Sequence, residues 1–331
     1  MSTVIVSTDG SATDWAPCLP HLREAGFDAK LVTDPLLARG GKSDAEVIAM
    51  LKGAVAVIAW GEQYPRAVLS GLPDLRVVAR AGVGFDTVDI AAATELGKVV
   101  TITPNANYEA VAEHTLAFMM AQAKWMVKGH VELAGGTWRG LSRRPLRGKT
   151  LGLLGLGRIG RAVALRALAF GMKVVATENY PDMAFVNEHG VELLELDAML
   201  PRADYVSVHC PLNDETRGII NQGTLAKMRS GAILINTARG GLVVEADVVA
   251  AIETGHLGGA ALDVFEQEPI DAKNPLLQLE NVIVSPHIAG NDNQSMGDMG
   301  MEAAQNIIDL SEGKWPGGSV VNKALEGKWS W

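Results

Sequence analysis

The sequence predicts an α/β protein built from two doubly wound parallel-sheet domains, and three observations carry that expectation. Short runs rich in Val and Ile alternate with stretches of helical period before residue 105. The same alternation restarts at Leu151 and continues to Val284. At the restart a glycine cluster, Gly155-Leu156-Gly157-Arg158-Ile159-Gly160, stands between an apolar run and a helix-like stretch. Strands that alternate with helices make parallel sheets, because a parallel pair needs a crossover and the crossovers cover both sheet faces. With 331 residues, 48% of them apolar, the chain exceeds the size at which one core stops growing, so each unit can bury a core of its own.

The strands of the first unit are expected at Val4 to Ser7, Val55 to Trp60, Arg76 to Ala79 and Val99 to Thr103. The N-terminal residues lack a basic region before their apolar run and read as a strand rather than a leader. Glu109 to Leu133 reads as one long helix that begins after Pro104 and ends at Gly135-Gly136. Ala112, Leu116, Met119, Ala123 and Met126 mark its apolar stripe, while Phe118 and Trp125 lie off it. Such a helix is expected to be covered on more than one side, between domains or against a second subunit. Met119, Met120 and Met126 read as core filling. Arg139, Arg143, Arg144, Arg147 and Lys149 then form a short basic linker, not a polyanion site. In the second unit the runs are Leu151 to Leu154, Lys173 to Ala176, Tyr205 to His209, Ala232 to Ile235, Gly259 to Val264 and Asn281 to Val284. Met299 to Leu310 is a last helix, and Trp329 and Trp331 have no role legible in the sequence.

A net charge of -9 disfavours a nucleic-acid or acidic-membrane surface, since binding phosphates takes clustered Lys and Arg. No apolar stretch is long enough to span a bilayer. Cys18 and Cys210 lack the paired spacing of a metal site or a disulfide framework. The expectation is a soluble, cytoplasmic chain in a reducing compartment, with no bound metal and neither nucleic acid nor membrane as partner.

The glycine cluster gives the first chemical reading. Gly155 permits a tight turn, Gly157 lets backbone approach a pyrophosphate, and Gly160 seats the helix on the strand. A second strand runs into Glu178, which lies 21 residues after Gly157, near the spacing of a ribose-binding carboxylate. That carboxylate repels a 2'-phosphate, and Asn179-Tyr180-Pro181-Asp182 offers no arginine to bind one, so NAD is favoured over NADP.

Three later strands each run into a polar residue: Arg239, Glu268 and His287. Ligands of open parallel sheets bind beyond the carboxyl ends of the strands, so these three are expected on the edge that holds the cofactor. Reducing a ketone needs a hydride on carbon and a proton on oxygen, and a nicotinamide carries only the hydride. His287 suits the proton transfer, Glu268 suits orienting the imidazole, and the guanidinium of Arg239 suits a substrate carboxylate and its adjacent carbonyl. His209 reads as a cofactor neighbour or a packed histidine, and Asp263 as buried with a local hydrogen-bond partner and not catalytic.

Longer segments carry a family resemblance. Asn236-Thr237-Ala238-Arg239-Gly240-Gly241-Leu242-Val243, Ala261 to Pro269 (ALDVFEQEP) and Ser285-Pro286-His287-Ile288-Ala289-Gly290 resemble the signatures of the D-isomer-specific 2-hydroxyacid dehydrogenases. Arg80 to Asp89 (RAGVGFDTVD), Val111-Ala112-Glu113, Leu146 to Gly152 and His209-Cys210-Pro211-Leu212 extend the likeness over nearly the whole chain. The resemblance implies a Rossmann NAD domain with a dimerisation helix, about 104 to 289, inserted into a flavodoxin-like substrate domain of 1 to 103 plus 290 to 331. It implies that Arg239 binds and polarises a 2-keto acid, that Glu268 pairs with the histidine and that His287 donates the proton. It implies cofactor contacts from Gly155, Gly157, Arg158, Ile159, Gly160, Glu178, His209, Pro211, Thr216, Thr237, Ala238, Asp263 and Gly290. Substrate contacts follow for Arg239, His287 and the backbone of Val83 and Gly84, while Trp60 reads either as a substrate contact that caps a less charged side chain or as simple packing.

Two departures from the family pattern bear on specificity. Glu178 stands where the family's NAD enzymes usually carry aspartate, and Ala59-Trp60 stand where phosphoglycerate dehydrogenases place a phosphate-binding arginine. The expected protein is therefore a homodimeric, NAD-dependent oxidoreductase of a small 2-keto acid and its D-2-hydroxy acid. Two alternatives accompany it: an NAD(H)-sensing binding or scaffold protein of the same fold, and a reductase of a phosphonate-bearing or other dianionic 2-keto acid that uses Arg143 or Arg144 as an extra clamp.

Overall fold

The structure, a computed structural model, describes residues 1–9, 17–140 and 142–331. The chain divides into two compact units, Met1–Asn107 with Asn291–Trp331, and Tyr108–Gly290. Among the described residues no helix is long and apolar enough to cross a membrane.

The first unit holds a five-stranded parallel sheet of β1 (Thr3–Thr8), β2 (Asp28–Thr33), β3 (Ala54–Ala59), β4 (Val77–Arg80) and β5 (Val99–Thr101), in the order β2-β1-β3-β4-β5. Successive side chains alternate between two cores. Val4, Val6, Ala56 and Ile58 face one of them, and Ile5, Val57, Val78 and Val100 the other. The helix Asn293–Ser311 packs Met299, Ala303 and Ile307 into the first core, so the chain's last helix belongs to the sheet formed by its first residues. It starts earlier than the apolar period alone marks, because the Asp292 side chain caps it by accepting from the Ser295 N–H. Trp329 and Trp331 close the edge of the same core. The Trp329 indole donates to the Gly97 carbonyl at 2.9 Å, and Trp331 meets the ring of Phe27 edge-on.

The second unit holds seven parallel strands: β6 (Thr150–Leu154), β7 (Lys173–Thr177), β8 (Glu192–Leu193), β9 (Tyr205–Val208), β10 (Ile233–Asn236), β11 (Gly259–Leu262) and β12 (Val282–Val284). Their order is β12-β11-β10-β9-β6-β7-β8, so the winding reverses between β6 and β9 and leaves the ligand crevice at the carboxyl ends of those strands. β2 and β8, each at one edge of its sheet, have no counterpart among the apolar runs, because they carry polar residues such as Asp28, Lys30 and Glu192.

The expected single helix from 109 to 133 is two helices, Tyr108–Lys124 and Met126–Ala134. Trp125 breaks the run with a left-handed backbone, φ 55°, and its ring is stacked by Lys128 and Arg143, each 4.3 Å from the centroid. The first helix buries Met119 completely, with Met120 packed at the edge of that core. The second helix has no buried residue, and Met126 is 60% exposed, so Met126 is not core filling. The sequence period runs on because the second helix is also apolar on one face, which is left exposed among the described residues.

The basic linker ties down its own segment. Arg144 donates to the Gly231 carbonyl, Lys124 donates to the Arg144 carbonyl, and Lys149 pairs with Asp204. Gly231 precedes β10 at its amino end, whereas Arg239 follows the carboxyl end of the same strand. The extra clamp considered for Arg143 and Arg144 is therefore not assembled with Arg239.

Candidate active site

His287 follows β12, and a web of hydrogen bonds around Asp263 holds its loop. Asp263, just past β11, is 1% exposed. Its backbone carbonyl accepts from the His287 N–H at 2.8 Å. Its carboxylate accepts from the Ser285 hydroxyl at 2.5 Å, the Ile288 N–H at 2.9 Å and the Ala289 N–H at 2.8 Å. These bonds hold His287 at φ 54°, a conformation that costs energy for a residue with a Cβ and persists only where the surroundings over-determine it. The ring of His114, on the helix Tyr108–Lys124, shares a hydrogen bond of 2.9 Å with Ser285. Burial lowers the pKa of His114 and the charge of Asp263 opposes that shift. His114 and Ser285 are absent from the sequence-based site. His114 sits off the helix's apolar stripe, and its period gives no signal of the strand end that it meets.

His287 Nδ1 lies 2.6 Å from Glu268 Oε2, while Glu268 Oε1 accepts from the Phe265 N–H at 3.0 Å. Burial alone would raise the Glu268 carboxyl, but His287, the Phe265 N–H and the charge of Arg239 together hold it below the ordinary glutamate range. Glu268 is thus an anion at neutral pH. The Arg239 loop is shaped by Asn236, whose amide donates to the Arg239 carbonyl at 2.8 Å and whose oxygen accepts from the Ala238 N–H at 3.0 Å. At the next residue a Cβ would overlap the Phe265 carbonyl, so glycine at 240 lets the arginine loop press against the loop that carries Glu268. Arg239, Glu268 and His287 thereby gather at the carboxyl ends of β10, β11 and β12.

The glycine cluster lies at the β6/β9 crevice. Gly155 adopts φ 104°, and a Cβ there would lie 2.7 Å from the Cys210 nitrogen. At Gly160 a Cβ would overlap the Gly155 carbonyl, which seats the helix Arg158–Ala169 on the turn. Gly157, by contrast, faces open space, and it starts that helix without a side-chain cap, leaving backbone N–H groups available to an anion. This is the cradle that a pyrophosphate fits. Arg158 is exposed and Ile159 half-buried on the first turn. Glu178 accepts from the Leu156 N–H at 2.7 Å and the Tyr180 N–H at 3.0 Å, so its carboxylate is fixed beside the cluster. His209 follows β9; its Nε2 shares a hydrogen bond with Ser207, and its buried Nδ1 has no partner among the described residues. Burial pushes this ring down to about 3, which makes it a neutral group for a dinucleotide to meet.

The remaining expected cofactor residues follow the strands: Pro211 and Thr216 come after β9, Thr237 and Ala238 after β10, and Gly290 after β12. The Thr216 hydroxyl donates to the Pro211 carbonyl, Thr237 and Thr115 share a hydroxyl contact of 3.1 Å, and Gly290 ends the unit. Trp60, Val83 and Gly84 belong to the first unit, past the ends of β3 and β4. Among the described residues no group of three or more His, Cys, Asp or Glu is placed to hold a metal.

Comparison with known proteins agrees with this architecture. The model of the D-isomer specific 2-hydroxyacid dehydrogenase NAD binding domain matches residues 116–289. The D-3-phosphoglycerate dehydrogenase of Mycobacterium tuberculosis is 41% identical over 266 residues, which is 78% of this chain and 50% of that protein. The chain thus spans about half the length of these mycobacterial phosphoglycerate dehydrogenases. The glyoxylate reductase of Aeropyrum pernix is 40% identical over 267 residues, 78% of this chain and 79% of that one. Among solved structures, the TT0316 protein of Thermus thermophilus superposes with a TM-score of 0.86 at 37% identity, covering 97% of this chain and all of that one. A family match over more than half of the chain, joined to 40% identity with a reductase across most of both sequences, means that the chain belongs to the D-isomer-specific 2-hydroxyacid dehydrogenases.

Proposed function

We propose that the protein is an NAD-dependent oxidoreductase that interconverts a small 2-keto acid and its D-2-hydroxy acid. The contact of 2.6 Å between His287 and Glu268, with Arg239 close enough to act on the same carboxylate, is the observation that carries this reading. When bound, the nicotinamide supplies the hydride. Glu268 occupies Nδ1 of His287, which leaves Nε2 to give the carbonyl oxygen its proton in reduction and to take it back in oxidation. The fork of Arg239 binds the acid and polarises its carbonyl, and the Val83 and Gly84 N–H groups receive its carboxylate. Fixed charge on Glu178 favours a free ribose 2'-hydroxyl, hence NAD over NADP.

The side chain of Trp60 in place of an arginine favours a small, less charged acid, such as glyoxylate or hydroxypyruvate, over a phosphorylated one. A panel of glyoxylate, hydroxypyruvate, pyruvate, phosphonopyruvate and phosphohydroxypyruvate with NADH or NADPH tests the reading. Oxidation of NADH by a small acid, at higher kcat/KM than NADPH, is expected. Tight NADH binding with no turnover across the panel would replace the enzyme with the sensor.

The pH dependence of reduction follows from the pair. Glu268 is held below the ordinary glutamate range and stays ionised beside His287 at neutral pH, so kcat/KM should fall only as pH drops through that lowered range, and Glu268→Gln should abolish this acidic fall. An unmoved profile would remove Glu268 from this role.

We further propose a homodimer covering the helix Met126–Ala134. Met126, Val127, Val131 and Leu133 are each more than half exposed on it, a run of apolar residues of the kind that marks a protein–protein contact. Val131→Glu should convert dimer to monomer in sedimentation velocity; a wild-type monomer would refute this assembly.

A further inference from the structure

A carboxylate is buried beyond the carboxyl edge of the first sheet. In the order β2-β1-β3-β4-β5 the winding reverses between β1 and β3, the point at which an open α/β sheet leaves a crevice. Glu62, just past β3, fills that position with no solvent exposure. One carboxylate oxygen accepts from the hydroxyl of Ser7 on β1, and the other accepts from the Trp60 N–H at 2.5 Å. The group therefore bridges the two strands that flank the reversal.

Arg80 is the charge that accompanies it. Ala59, at the end of β3, is in register with Arg80 at the end of β4. Burial raises the Glu62 carboxyl to about 7 against the pull of the Arg80 guanidinium. Arg80 is buried too, and its Nε–H donates to the Gly84 carbonyl at 3.2 Å. On the other side of that turn the Gly82 N–H donates to the Thr103 hydroxyl at 2.7 Å. Buried charged groups are an expensive way to fill a core, and apolar groups of similar volume often serve stability better. The geometry on the page is the Arg80 bond to the Gly84 carbonyl, with the Glu62 carboxyl held beside the end of β3, in register with β4.

We propose that Glu62 is a positioning residue for the substrate: through Arg80 it fixes the Gly84 carbonyl and so aims the Val83 and Gly84 N–H groups at the carboxylate of a 2-keto acid. This role rests on the oxidoreductase reading above. It predicts a defect in acid binding that leaves the dinucleotide site, built in the other unit, unaffected.

Glu62→Gln keeps the shape and the acceptor oxygen but drops the charge, and Arg80→Lys keeps the charge but loses the fork. Each should raise the KM for glyoxylate about tenfold with a much smaller change in kcat, and weaken oxamate binding to the NADH complex in the same ratio. NADH affinity, read by fluorescence titration, should not change. In the double variant the effect should be no larger than the greater single effect, because both act through the Arg80 bond to the Gly84 carbonyl. Circular dichroism checks folding, and Glu62→Asp, which keeps the charge at shorter reach, serves as the same test if the glutamine variant does not fold. If the wild-type protein reduces no acid of the panel, the oxidoreductase reading falls and this role falls with it. If the wild type is active and these variants leave the glyoxylate KM and oxamate affinity where they were, or the double effect is the product of the singles, the positioning role alone is overturned.

Discussion

His287→Ala is expected to lower kcat for 2-keto acid reduction by about 10²–10⁴-fold, the usual contribution of a positioned acid-base group, with NADH affinity preserved. The expectation is specific because the ring is held from both sides. Glu268 meets Nδ1, and the Asp263 web holds the backbone in its left-handed turn. Alanine removes the proton carrier but leaves the web, whose bonds come from the backbone of residues 287, 288 and 289 and the hydroxyl of Ser285. Single-turnover kinetics with a saturating acid, beside an NADH titration by fluorescence quenching, separates the two quantities. Turnover at the wild-type rate would eliminate His287 as proton donor.

Arg239→Ala should cost about 2–5 kcal/mol of transition-state binding, which is roughly 30-fold to several thousand-fold in kcat/KM. Two effects combine in that loss. The variant loses the fork that binds the acid, and it loses the positive charge that helps to keep Glu268 ionised. Arg239→Lys retains much of the second effect and little of the first, so it should recover the shape of the pH profile before it recovers KM. Steady-state kinetics of both variants against pH reads the difference. An alanine variant with unchanged kcat/KM would place the substrate's carboxylate elsewhere.

The legible part of the site shares one property. Arg239, Glu268 and His287 each follow an apolar run that is recognisable as a strand, and parallel strands bring their carboxyl ends to one edge whatever their separation in sequence. The glycine cluster is legible for a related reason. Three positions without a Cβ, spaced over one turn between a strand and a helix, meet a steric demand that no other residue satisfies. His114, Ser285 and Glu62 show where such reading ends. Each is an ordinary polar residue locally, and each takes its role from a partner far away in the chain, at Asp263 or at Ser7 and Arg80.

The amino-acid sequence by itself determined two parallel sheets, a dinucleotide-type turn and the three polar residues at the strand ends, because hydrophobic period, glycine geometry and side-chain chemistry are local properties. Only the tertiary structure decided that the helix after Pro104 breaks at Trp125, that Met126 faces outward, that Asp263 clasps the His287 loop and that a buried carboxylate occupies the first sheet's reversal. Those outcomes depend on which distant groups satisfy one another's hydrogen bonds and charges. No window along the chain contains both partners.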